Sequence, residues 1–193
     1  VIINCIFLFH LFIFGPKIIK IYYARIVKNK IFLFYLYRIK FINMKYLSPL
    51  EMLYKWEQEK PDEVYLSQPI DGIWHNWTWK EFGTEVRRMA AYLKGLDFPE
   101  ESKIALLSKN CAHWMMADMA IMMSGHISVP LYPNLNSETL SKIINHSEAK
   151  LLFVGKLDNY SDMRSGVPSD LDCITFPFYS EDYPNWKDLT KGL

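Results

Sequence analysis

The sequence predicts an α/β domain, a parallel sheet with flanking helices, and three observations carry that expectation. Short apolar runs of strand length, "KIALLS" (103–108), "ISVPLY" (127–132) and "KLLFVG" (150–155), alternate with two longer segments of helical character. The connections between them are a few residues long. Strand, helix, strand, helix, strand with short connections is the pattern of a parallel sheet joined by right-handed crossovers.

Taken in order, residues 46–60 read as a first amphipathic helix, with Leu50, Leu53, Tyr54 and Trp56 among charges and Pro61 at its end. Two strand-like stretches follow, "EVYLSQ" and "IWHNWTW". They are joined around Asp71-Gly72, a hairpin turn signal. Thr78 followed by Glu81 is a capping box: the hydroxyl accepts a first-turn backbone N–H and the carboxylate accepts the cap residue's own N–H. The helix that starts there carries Phe82, Val86, Met89, Leu93 and Leu96 in steps of 4, 3, 4 and 3, the spacing of one buried stripe. Arg87, Arg88 and Lys94 fall between stripe positions and are expected to face water.

After the strand at 103–108 the run "AHWMMADMAIMMS" (112–124) is apolar almost all round, with Asp118 its main interruption. Such a helix is buried on more than one side. Gly125 stands where a helix stop is expected. In "GHISVPLYPNLNSETLSKIINHSEAKLLFVG" (125–155), Pro130 and Pro133 stiffen the crossover and Ser137 is read as the cap of a helix buried through Leu140, Ile143 and Ile144. Beyond Gly155 the pattern weakens. "KLDNYSDMRSGVPSD" reads as loop or short helix, "LDCITFPFY" has the composition of a strand, and "YPNWKDLTKGL" opens a possible helix.

Charge is split unevenly along the chain. Seven of the 22 basic residues lie in the first 43 positions and all 21 acidic ones lie from Glu51 onward. The body therefore carries 15 minus 21, or −6. Its scattered Lys and Arg argue against nucleic acid as a partner. Cys5, Cys111 and Cys173 are too few and too distant for a disulfide framework, and no CxxC or His-Cys spacing suggests zinc. A cytoplasmic compartment is the simpler expectation.

Residues 1–43 form a separate extension, expected to lie outside the fold of 44–193. Phe, Ile, Lys, Asn and Tyr fill 30 of those 43 positions, and all five have codons written with A and T alone. Translated AT-rich DNA upstream of a start at Met44 would look like this. The rival reading is a membrane-associated tail, which would be the protein's only route to membrane contact. The apolar run from Val1 to Phe14 contains Asn4 and His10 and falls short of the roughly 20 residues that a helical span needs. A structured part of the domain is the third reading.

Candidate chemistry is sparse. Phosphate loops use glycines after a strand, because only glycine lets backbone N–H groups close on a phosphate at a helix N-terminus. The turns "SKNCAH", "YPNLNS" and "GKLDNYS" are neither GxGxxG nor a lysine-bearing P-loop, and the chain has only 8 glycines. His113, His126 and His146 lie near element ends, where acid-base work is conceivable and a structural role is the plainer reading. Cys111, at an expected helix N-terminus, is a candidate for a lowered thiol pKa, against the alternative of an ordinary buried cysteine. Asp118 is either functional, or a carboxylate on the helix's wettest face, or hydrogen-bonded to a neighbouring strand. The methionine run fits core packing better than a cofactor box.

Together, "WHNWTWKEFGTEVRRMAAYLKGL" and the segment from "KIALLSKNCAHWMMADMAIMMSG" through "VPLYPNLNSETLSKIINHSEAKLLFVG" resemble the N-terminal portion of the adenylate-forming, AMP-binding superfamily. The resemblance is closest to acyl-CoA synthetases of the long-chain fatty acid type. Its most specific pieces are the pair Asn110 and Trp114, and Gly125 followed by Val129-Pro130-Leu131-Tyr132-Pro133. It covers about residues 46–190.

The resemblance implies ATP, Mg²⁺ and coenzyme A as cofactors of a complete enzyme, and a fatty acid or other carboxylate as substrate. The carboxylate becomes an acyl-adenylate and then a thioester. The superfamily's Ser/Thr/Gly-rich loop, its aromatic-Gly-x-Thr-Glu and Thr-Gly-Asp stretches and its C-terminal lysine all follow the region resembled here. No catalytic, cofactor-binding or metal residue is therefore assigned. The chain reads as an N-terminal piece, expected to bind those cofactors poorly and to be inactive alone. A non-catalytic binding module on the same scaffold is the alternative. Alone, such a piece is expected to expose an apolar patch over roughly 400 Å² and to aggregate or recruit a partner.

Overall fold

The computed structural model describes residues 46–179 and 182–193. The readings made above for residues 1–43 lie outside the described residues. The described chain runs α1 (Pro49–Glu59), β1 (Val64–Ile70), β2 (Ile73–Thr78), α2 (Trp79–Lys94), β3 (Lys103–Leu107), α3 (Ala112–Met123), β4 (Ile127–Leu131), α4 (Ser137–Ser147), β5 (Leu151–Val154), α5 (Ser161–Arg164), β6 (Asp172–Thr175) and α6 (Trp186–Leu189).

The expected parallel sheet is present, with four strands in the order β4-β3-β5-β6. In β3, Ile104, Ala105, Leu106 and Leu107 are completely buried, and alternate residues point to opposite faces of the sheet. Ile104 and Leu106 join a core layer with Phe82, Val86, Met89 and Leu93 of α2 and Met116, Ala120 and Ile121 of α3. Ala105 and Leu107 join the opposite layer with Leu140 and Ile144 of α4 and Met163 of α5. Helices thus cover both faces, as a parallel sheet requires. Each fully buried Leu, Ile or Phe contributes roughly 1.5–3 kcal/mol relative to exposure.

Helix boundaries follow the caps. Ser48 opens α1 through a reciprocal box with Glu51, and Pro49 fills the first helical position. The helix begins at Pro49 rather than residue 46, because Ser48 and Pro49 set the start locally. Thr78 opens α2 as expected: Glu81 N–H donates to Thr78 Oγ1 and Thr78 N–H donates to Glu81 Oε2. Its stripe is buried from Phe82 to Leu93, while Leu96 lies past the helix end and is only partly buried.

The end of α3 is set by Gly125, whose φ of +85° is the left-handed conformation glycine adopts without penalty. Gly125 N–H donates to Met122 O and His126 N–H to Ile121 O, the two bonds of a Schellman stop. One face of α3 is fully buried and the rest, including Trp114, Met115 and Met119, is half-buried. At α4 the cap is Asn136 rather than Ser137: Thr139 N–H donates to Asn136 Oδ1. Asn and Ser cap about equally well, so sequence alone leaves the choice to loop geometry. Pro130 lies within β4, an edge strand where a missing N–H is tolerated.

The hairpin β1-β2 is a separate two-stranded sheet turning at Asp71 (φ +50°) and Gly72 (φ +79°), both left-handed as a two-residue hairpin of this type demands. It is anchored by Tyr65, which stacks on Trp79 at 3.7 Å and meets Phe82 edge-on at 5.0 Å. Arg87 and Arg88 are exposed as expected, yet Arg87 grips the Glu57 carboxylate with both terminal nitrogens, tying α1 to α2. Removing the α2 cap with Thr78→Ala should cost about 1 kcal/mol, measured by urea denaturation at pH 7. An unchanged midpoint would show that packing alone sets this helix start.

Candidate functional site

In an open parallel sheet, ligands bind beyond the carboxyl ends of the strands, where successive connections depart to opposite faces. Here β3 is followed by α3 on one face, whereas its neighbour β5 is followed by α5 on the other. The crevice between the ends of β3 and β5, bordered by Ser108–Cys111 and Gly155–Asp158, is therefore the natural candidate.

This crevice is laced shut at its base. Ser108 Oγ accepts the Lys156 N–H at 2.9 Å and donates to the Lys109 carbonyl at 2.6 Å. Lys109 N–H donates to Lys156 O at 2.7 Å, and the Lys109 ammonium pairs with Asp158. Gly155 is required by space: a Cβ there would lie 2.5 Å from Ser108 Oγ and 2.3 Å from the Phe176 ring. Above this base lies a cavity of about 500 Å³, lined among others by Gln68, Asn110, Cys111, Trp114, Met115 and Lys156.

The first turn of α3 forms one wall of that cavity, and Gln68 of β1 closes its N-terminus. Ala112 N–H donates to Gln68 Oε1 at 2.7 Å, while Gln68 Nε2 donates to Tyr179 Oη at 3.2 Å. One amide thus joins the hairpin, α3 and the segment after β6. Cys111 is the cap residue but its sulfur makes no cap hydrogen bond. Burial pushes its thiol pKa up, outweighing contacts from the Trp114 N–H and Ser108 that favour the thiolate. The prospect of a lowered pKa at Cys111 is corrected accordingly: desolvation wins over the helix terminus. Burial likewise pushes the Cys173 thiol up to about 11, and both cysteines are free.

The three histidines do not converge. His113 sits in the first turn of α3 and His126 just past its end, roughly the 18 Å length of a twelve-residue helix apart. His146 is exposed in the last turn of α4. His126 is buried with Nδ1 unpartnered among the described residues, and it meets Phe98 edge-on at 6.2 Å. Asp118 lies on the half-buried face of α3. Among the described residues no three His, Cys, Asp or Glu side chains cluster in a way that would hold a metal ion. No described helix is long and apolar enough to cross a membrane.

His113 is placed by the fold beside a second cavity. It is 4% exposed and lines a space of about 960 Å³ between β2, α2 and α6. Trp77, Phe176, Phe178 and Trp186 surround it at centroid distances of 5.5–6.2 Å. Burial foremost, and the nearby Lys187 charge, push its pKa down to about 3. Sequence reasoning missed the role of Trp186, a fully buried side chain whose Nε1–H donates to Glu85 of α2 at 3.1 Å. The only advance signal was its place in a weak helical stretch.

A family model described as AMP-binding enzyme matches residues 53–182. A long-chain-fatty-acid–CoA ligase of Mycobacterium bovis is 29% identical over 112 residues, 58% of this chain and 18% of that protein. Long chain acyl-CoA synthetase 2 of Arabidopsis thaliana is 29% identical over 134 residues, 66% of this chain and 20% of its own length. The chain thus spans about a fifth of the curated relatives it matches.

Among solved structures, an anthranilate CoA ligase in complex with anthranoyl-AMP superposes with a TM-score of 0.64 at 19% identity, over 76% of this chain and 28% of that one. Acetoacetyl-CoA synthetase from Streptomyces lividans gives 0.63 at 19%, over 74% and 24%. At such identities the structural likeness establishes the shared fold.

Two outcomes test this geometry. Gly155→Ala should cost about 1–3 kcal/mol through overpacking, and Phe176→Leu in the same chain should recover part of it; a neutral Gly155→Ala would refute the close approach. For His113, the unfolded chain binds a proton below pH 6.5 while the folded chain does so only near 3. Stability is therefore lost as pH falls through that window, by about 1.4 kcal/mol per pH unit. Urea melts at pH 7 and pH 5 should show the loss in the parent chain, and a smaller one after His113→Phe.

Proposed function

The chain belongs to the AMP-binding enzyme family, and from that premise we propose that it supplies the opening, scaffolding part of an ATP-dependent, AMP-forming acyl-CoA ligase. The substrate class is a fatty acid or related carboxylate. ATP with Mg²⁺ activates it to an acyl-adenylate, and the thiol of coenzyme A receives the acyl group. The observation that carries this reading is the family match over residues 53–182, laid on a doubly covered parallel sheet. The long-chain ligases among its relatives favour a long-chain acyl group.

The geometry supports a scaffolding role for the described residues. Acyl and phosphoryl transfer need magnesium, backbone donors and several cations around the developing negative oxygens. At the crevice between β3 and β5, Lys109 is already paired with Asp158, and Gln68 occupies the first N–H of α3. Ser108 is committed to backbone groups of both loops. These groups brace the sheet ends and leave Lys156 as the lysine lining the cavity above. Magnesium, when bound in the complete enzyme, would neutralise phosphate charge; the present residues would position the strands on which that site is assembled. A cytoplasmic location and a fold spanning 44–193 accord with this reading.

Pyrophosphate exchange tests it. The 193-residue chain, incubated with ATP, Mg²⁺, labelled pyrophosphate and palmitate, should return label to ATP no faster than a boiled control. Clear carboxylate-dependent exchange would show that the chain carries the chemistry itself and would refute the scaffolding role.

A further inference from the structure

The cavity between β2, α2 and α6 has a composition that the scaffolding role does not use. One wall is aromatic: Trp77 and Phe178, the latter itself exposed, lie beside the His113 ring, at 5.8 Å and 6.0 Å. His113 itself is 96% shielded from solvent, being 4% exposed. No hydrogen bond among the described residues engages its imidazole, and its nitrogens are not among the fully buried unpartnered atoms, which are His126 Nδ1 and Ser128 Oγ. The ring borders the cavity, so a molecule entering there can reach it. Because burial holds the imidazole neutral, it offers one N–H donor and one lone pair.

The rim carries the complementary charge. Lys80, Lys187 and Lys191 all line the opening and are exposed. Lys187 Nζ lies 4.5 Å from the centroid of the Phe178 ring, bringing a cation against the aromatic wall. The acids of the lining are mostly engaged. Glu81 accepts hydrogen bonds from the Thr78 backbone and hydroxyl. Glu85 accepts from Trp186 Nε1 and pairs with Arg88. Among the described lining side chains, Lys80, Arg88, Lys187 and Lys191 exceed Asp62, Glu81 and Glu85 by one positive charge.

We propose that this cavity is a binding site for a planar aromatic anion. Its ring would lie against Trp77 and Phe178, a polar ring atom or substituent would hydrogen-bond to His113, and its negative group would face Lys187 and Lys191. An aliphatic anion would forgo the ring contacts with Trp77 and Phe178. An aromatic cation would meet the lysines and be repelled. The site therefore discriminates on both shape and charge.

The probe is 2-naphthoate, titrated into the 193-residue chain at low salt, followed by tryptophan fluorescence and by the imidazole Cε1–Hε1 resonance of His113. Saturable binding that shifts this resonance is expected, with cyclohexanecarboxylate and 2-naphthylmethylammonium each at least tenfold weaker. Lys187→Glu with Lys191→Glu, both at exposed positions, should weaken 2-naphthoate at least tenfold while leaving the circular dichroism spectrum unchanged. Three results would overturn the proposal: an unmoved His113 resonance, equal binding of the naphthyl cation, or affinity indifferent to the lysine reversals. The last would mark nonspecific adsorption to apolar surface.

Discussion

Everything in the sheet is referred to β3. Its four residues from Ile104 to Leu107 are fully buried and hydrogen-bond on both sides, to β4 and to β5. A strand in that position has no solvent face. Its side chains must alternate into two apolar layers, so helices must be available for both. The α2-α3 pair and the α4-α5 pair meet that demand. Strand order follows from it: α3 returns the chain to one flank of β3, and α4 carries it past β3 to the other.

Reversal of direction around β3 opens a crevice at the strand ends, and this chain closes its base with small groups. Ser108 and Gly155 permit the two loops to approach until Ser108 Oγ reaches the Lys156 N–H. A phosphate-binding turn would use glycine to admit a ligand to the backbone. Here the glycine admits Ser108 and the Phe176 ring, so the same residue type serves packing. Gln68 has a comparable effect at α3, where its carbonyl oxygen takes the place a ligand oxygen would need. The crevice is thus stiffened by contacts that reach across the chain, and one of its two lysines, Lys109, is spent on Asp158.

The difference in range explains what was legible in the sequence. The capping box at Thr78 and Glu81, the Asp71-Gly72 turn, the Gly125 stop and the α2 stripe all involve residues within a few positions of one another. Their chemistry repeats with helical or hairpin spacing and can be read directly. Gln68 and Ala112 are 44 residues apart, Ser108 and Lys156 are 48, and Trp186 and Glu85 are 101. No local pattern announces such pairs. Arg87 shows the limit well. Its position between stripe residues correctly places it at the surface, yet the Glu57 it grips lies 30 residues back on α1. Cys111 marks a second limit, because helix position argues for a lowered pKa and only the surrounding packing shows that burial prevails.

The site candidates also sort by what surrounds them rather than by residue type. His113, His126 and His146 read alike as histidines at element ends, but burial and neighbours give them different chemistry. His146 is in water, His126 packs beside Phe98, and His113 is enclosed by four aromatic rings with one side toward a cavity. The enclosure depends on Trp186 and Phe178, both from the stretch where sequence patterning was weakest. Trp186 is held by Glu85, and Glu85 lies on α2, whose start Thr78 fixes. The same α3 turn that presents His113 to this cavity presents Cys111 to the crevice above β3 and β5, with Ala112 between them bonded to Gln68. The wall between the two spaces is therefore one hydrogen-bonded helical turn, and displacing it on either side would strain the Gln68 bridge and the loop that carries Ser108.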